Sequence, residues 1–128
     1  MANRSFDFIQ GLGKGVKVIA GSFAPNGAGA VSSSSVKGKG FSVVRTSAGL
    51  FTITLQDAYV ALLAAHAHLQ LAVGDDKVAQ VGAIDVVSAK TIAIRVWDIS
   101  GAAETDVAAN ANNRIHFVLV LSNTQLNA

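Results

Sequence analysis

The chain has no cysteine. Disulfides, thiolate catalysis and zinc sites built on cysteine are therefore excluded, and the redox compartment stays open. Charge is also scarce: Asp, Glu, Lys and Arg make up 14% of the chain, against roughly a quarter in an average soluble domain. Aromatic residues amount to 6%, too few for the exposed stacking platform that sequence-tolerant nucleic-acid binders use. No apolar run approaches the roughly 20 residues of a membrane helix, so no membrane partner is expected. The opening residues Met1–Phe8 lack the apolar stretch of a secretion signal. Asn3-Arg4-Ser5 fits the glycosylation sequon by coincidence, and synthesis in the cytoplasm is expected.

Apolar residues, by contrast, make up 51% of the 128 positions. That length suits one domain, which buries roughly two-thirds of its unfolded surface. So many apolar and so few charged side chains point to surface covered by neighbours, copies of the chain included. An abundance of small Ala and Gly side chains is the other reading of the same numbers. The net charge of +2 is unevenly spread: residues 1–45 carry +5 and the remainder −3. A basic front third of this kind meets something acidic, either nucleic acid or an acidic protein surface. The sparse aromatics disfavour nucleic acid.

Along the chain, residues 1–15 read as a flexible N-terminal arm. It ends in Gly11-Leu12-Gly13-Lys14-Gly15, where three glycines favour a turned or loose backbone. Residues 16–128 read as one β domain. Val16–Ala20 is a strand, followed by a long mobile loop over about 21–40 around Pro25-Asn26-Gly27 and the run Ser32–Ser35. Phe41–Thr46 and Leu50–Leu55 form a hairpin across Ser47-Ala48-Gly49. Phe51, Ile53 and Leu55 alternate with Thr52 and Thr54, the mark of a half-buried strand. Asp57 is placed to cap a short helix over 57–65, in which Tyr59, Leu62 and Leu63 recur at helical spacing. His66–Val73 alternates again, with Leu69, Leu71 and Val73 inward. Gly74-Asp75-Asp76 is a turn, and Val78–Ile84 and Thr91–Trp97 are strands. Ser100–Asn113 is a polar loop. Arg114–Leu121, apolar on both faces, belongs at the centre of a sheet. The expected fold is an antiparallel β-sandwich or jelly-roll-like barrel with one short helix and an extended arm.

Residues able to carry chemistry are few. His66 and His68 share a strand face and could hold a metal with His116, but solvent-facing positions on an alternating strand already account for them. Asp75-Asp76 is a turn pair without a third ligand at EF-hand spacing. The Gly-Lys stretch at 11–15 lacks the P-loop pattern, and there is no Gly-x-Ser-x-Gly elbow. We therefore expect no enzyme activity, no cofactor and no metal. Trp97 lies on the polar face of its strand beside Arg95. The pair either covers a second sheet face or anchors a partner, since Trp and Arg are enriched among binding hot spots.

The order of a Gly/Lys-rich arm, the hairpin Phe41–Leu55, then Leu69-Gln70-Leu71-Ala72, Lys90–Val96 and Ala109–Phe117 resembles small virion proteins of tailed bacteriophages, in particular head decoration (cement) proteins. The segment Asn112-Asn113-Arg114 leading into an alternating strand carries most of the likeness. The resemblance implies a dimeric or trimeric protein on the outer capsid surface that bridges subunits of the major capsid protein and stabilises the shell. On this reading residues 1–20 contact the capsid. Phe6, Phe8, Ile9 and Leu12 would enter apolar pockets, while Arg4, Lys14 and Lys17 would meet acidic groups. Arg95 and Trp97 would form a second contact. A tail or fibre component and a carbohydrate-binding β-sandwich are the alternatives, the latter short of exposed aromatics.

Overall fold

Alternation of apolar and polar side chains dictates the structure. The computed structural model describes residues 15–123. Its strands are β1 (Val16–Phe23), β2 (Phe41–Ser47), β3 (Leu50–Leu55), β4 (Ala61–Gln70), β5 (Lys77–Asp85), β6 (Thr91–Asp98), β7 (Ala103–Glu104) and β8 (Arg114–Ser122). They form two antiparallel sheets, one ordered β1-β8-β4 and the other β2-β3-β6-β5, with β7 joined to the end of β6.

The inward phase of each strand supplies the core. Phe51, Ile53 and Leu55 of β3, Ile92, Ile94 and Val96 of β6, and Ile115, Phe117, Leu119 and Leu121 of β8 are buried together. Aromatic pairs join the two sheets: Phe23 of β1 lies 5.0 Å from Phe51 of β3, and Phe41 of β2 meets Phe117 of β8 edge-on at 4.9 Å. Each such side chain contributes about 1.5–3 kcal/mol on burial. β8 is central in its sheet, as its two apolar faces lead one to expect.

The helix expected over 57–65 is absent. Asp57 is exposed and caps nothing, and residues 61–70 form β4, paired along its length with β8. Two physical causes explain the error. Helix propensity is worth only tenths of a kcal/mol per residue, whereas without β4 one whole edge of β8 would lack hydrogen-bond partners. In addition, a bulge between Leu62 and Ala64 breaks the alternation. Leu62 faces the core, Leu63 is thrown outward at 55% exposure, and Ala65, Ala67 and Leu69 resume the inward phase. The step of three from Leu62 to Ala65 imitates a helical period. Val73 lies beyond the strand and is exposed, contrary to its expected inward position. The only helical turn among the described residues is a 3-10 turn at Ser33–Ser35.

β1 runs to Phe23, so the long connection to β2 begins at Ala24. Hydrogen bonds fasten this connection. Ser22 and Lys37 exchange backbone bonds at 2.9 and 2.8 Å. Arg114 donates to Ser22 Oγ at 3.0 Å and to the Ser35 carbonyl at 2.5 Å. Its neighbour Asn113, buried, donates to the Ala108 carbonyl at 3.0 Å and accepts from Ala72 N–H at 2.8 Å. The Asn-Arg pair singled out in the sequence thus ties three chain segments together.

Candidate interaction surfaces

Among the nine residues expected to touch a partner, Arg4, Phe6, Phe8, Ile9, Leu12 and Lys14 lie outside the described residues. Lys17 is exposed at the start of β1, opposite Leu121. Arg95 and Trp97 sit on β6, in the other sheet. Lys17 therefore does not share a sheet surface with the Arg-Trp pair.

Arg95 and Trp97 project from the outer face of the larger sheet, in phase opposite to the buried Ile94 and Val96. Cross-strand neighbours define the surroundings: Arg95 lies between Leu50 and Gln80, and Trp97 between Val78 and Glu104. A bulge between Val81 and Ile84 brings Gly82 beneath the guanidinium, where a Cβ would stand 3.1 Å from Arg95 Nη2. Glycine here leaves the room the arginine occupies. Arg95 Nε approaches Glu104 Oε2 at 3.7 Å, too long for a hydrogen bond, and is buried without a partner. With both side chains more than a third exposed, this ion pair contributes little to stability. Sequence reasoning found Arg95 and Trp97 through strand phase but missed Gly82 and Glu104. The two-residue strand β7 pairs with the end of β6 across a short turn and is too brief to show a periodicity.

The three histidines lie together on the outer face of the smaller sheet. His66 Nε2 and His68 Nδ1 are 3.2 Å apart, and His68 faces His116 across the β4–β8 ladder. His116 is engaged with Gln70 Oε1 at 2.7 Å. No carboxylate joins them, and no group of three or more His, Cys, Asp or Glu among the described residues could hold a metal ion. Asp75 bonds Lys77 and the Asp76 N–H, which makes it a turn residue. The clefts are shallow; one at an end of the fold is lined by Pro25, Asn26, Ser32, Ser35 and Asn110.

Several carboxylates are bound into turns. Arg45 forks onto Asp106 through Nε at 3.1 Å and Nη2 at 2.8 Å, and Gly49 N–H donates to the same carboxylate at 2.9 Å. The Arg45 hydrogen bond foremost, helped by Gly49, holds the Asp106 carboxyl below the usual range against the opposing effect of burial. Asp98 is lowered by Ser100 and Gly101, and Asp85 by the backbone of Ser88 and Ala89. A carboxyl lowered in the folded state adds stability above its unfolded pKa of about 3.9, and this is lost as pH falls through the folded value. Asp106→Asn should therefore cost about 1 kcal/mol at neutral pH, allowing for the partial exposure of the pair. The difference from wild type should shrink at strongly acid pH, as Asp106 itself becomes protonated below the usual carboxylate range. Thermal melts of both proteins at the two pH values check this; a difference independent of pH would remove the charge from the explanation.

No helix among the described residues is long and apolar enough to cross a membrane. The chain matches no protein-family model, no curated protein and no solved structure.

Proposed function

We propose that the chain is a structural virion protein of a tailed bacteriophage that binds the outer surface of the capsid and bridges neighbouring copies of the major capsid protein. The observation that carries this reading is the Arg95–Trp97 pair, displayed on the outer face of a well-packed sheet beside Glu104. Residues of these types concentrate binding energy when a partner excludes water from them. The sheets form a sandwich-like body with little freedom to lose on docking, so a small contact is enough when an arm supplies another. Residues 1–15 are that arm, and the basic excess of the front third suits an acidic capsid surface. The likeness in layout to head decoration proteins points the same way. The role requires no catalytic group, cofactor or metal.

Copy number in purified particles tests the assignment. Quantification against the major capsid protein should give hundreds of copies per particle, with antibody label spread over the head. A handful of copies, or label confined to the tail, would replace it with a tail or fibre role.

A further inference from the structure

One end of the smaller sheet gathers cations without a carboxylate. Lys37 and Ser22 exchange both backbone hydrogen bonds, so Lys37 extends the row Ser22–His116–His68 beyond β1. Directly opposite residues of an antiparallel pair share a face, about 5 Å apart at Cβ. Lys37 and His116 therefore flank Ser22 on the outer side. Arg114 precedes His116 on the same face of β8 and lays its guanidinium over Ser22, with Nε at 3.3 Å and Nη2 at 3.0 Å from Oγ. Nη2 also donates to the Ser35 carbonyl, which fixes the plane of the guanidinium and leaves Nη1 unengaged. The Ser22 hydroxyl accepts from Arg114, and among the described residues no acceptor takes its own proton. Arg45, Lys77 and Arg95 each face a carboxylate, whereas Arg114 and Lys37 form no ion pair among the described residues. A shallow cleft of about 360 Å³ opens here, bordered by Ser22, Lys37, Gly38 and His116. Gly38 has φ +119°, and a Cβ there would stand 2.7 Å from the Ala20 carbonyl oxygen. Bare backbone at this position lets the turn after Lys37 lie against β1.

We propose that this cleft is a binding site for inorganic phosphate, held between Arg114 and Lys37 above the Ser22 hydroxyl. A phosphate group carries a charge of roughly −2 and three strong acceptor oxygens, which match two cations and a free hydroxyl proton. The Arg114 guanidinium is already oriented by Ser22 and Ser35, so little of its freedom is lost on binding. Lys37, exposed and flexible, adds a point charge from the other side of Ser22. A lone carboxylate brings one charge and two oxygens, and leaves part of this set unmet. His116, engaged with Gln70, closes the side of the cleft towards β4. Salt screens charges at the surface, so the affinity is modest, with a Kd on the order of 1 mM. The site asks nothing of the proposed capsid role and stands or falls separately from it.

Nuclear magnetic resonance of the full chain reads the site directly, with sodium phosphate replacing sodium chloride at constant pH and ionic strength. The backbone signals of Ser22, Lys37 and His116 and the side-chain signal of Arg114 should shift and saturate, while those of Arg45 and Arg95 stay in place. Lys37→Gln should weaken binding roughly tenfold, the effect of losing one charge-assisted bond. Lys37→Arg, which keeps the charge, should retain it. The structural bonds of Lys37 run through its backbone, so both variants should keep the wild-type circular dichroism spectrum. Lys90→Gln, which removes an exposed cation that donates to the Gln56 carbonyl, should bind like wild type. Acetate should bind several-fold more weakly than phosphate. Shifts that fail to saturate or spread over all basic residues would overturn the proposal. So would unchanged affinity in folded Lys37→Gln, or acetate binding as tightly as phosphate.

Discussion

Gly49→Val is expected to lower the melting temperature by about 15 °C, a loss of roughly 4 kcal/mol. Gly49 has φ +65°, where a β-branched residue is strained. A Cβ placed there would stand 2.4 Å from the Thr105 carbonyl oxygen and 2.6 Å from its nitrogen. Both are backbone atoms, so no rotamer change relieves the clash. Moving Thr105 disturbs its bond to Val96, and moving Gly49 disturbs its bonds to Asp106 and Val96. The hairpin β2–β3, the strand β7 and the Arg45 fork all meet at this one residue. Typical stability is only about 5–15 kcal/mol, so the variant should be partly unfolded at growth temperature. Thermal circular dichroism checks it, with Gly74→Ala as the control, since no atom lies within 4 Å of a Cβ there. Equal losses for the two variants would contradict the packing described at Gly49.

The second large effect falls on binding. The strands, core and hydrogen bonds described above all lie within residues 15–123. On the proposed role of residues 1–14 as a capsid-contacting arm, deleting them should leave the melting temperature within a few degrees of wild type, while capsid affinity drops roughly 100-fold as the linked second contact is removed. Titration of fluorescently labelled protein against capsids measures the change. Unaltered affinity in the truncated form would remove the arm from the mechanism and leave the Arg95–Trp97 surface as the contact.

The strands were legible where burial imposes a strict period of two. Leu50–Leu55 was read to the residue, and β6 and β8 to within one, because their inward positions are all large and apolar. β4 was misread in its first half because its inward residues include small alanines and its bulge shifts the phase. Propensity then filled the gap with a helix that the unpaired edge of β8 does not allow. The hairpin turn was placed one residue too wide: Ser47 pairs with Leu50, and the irregularity sits between Arg45 and Ser47. The candidate surface was half legible. Strand phase turns Arg95 and Trp97 outward, but Gly82 reaches them through a bulge in β5 and Glu104 through a two-residue strand, neither of which has a period to read.

The measurement that bears most directly on the proposed role is co-sedimentation of the purified chain with expanded, undecorated phage capsids over a range of concentrations. Binding should saturate at hundreds of copies per capsid, and Trp97→Ala should weaken it roughly tenfold or more, the effect of losing a hot-spot residue. No pelleting above the protein-only control, or saturation at a few copies, would contradict the proposal that the chain decorates a shell.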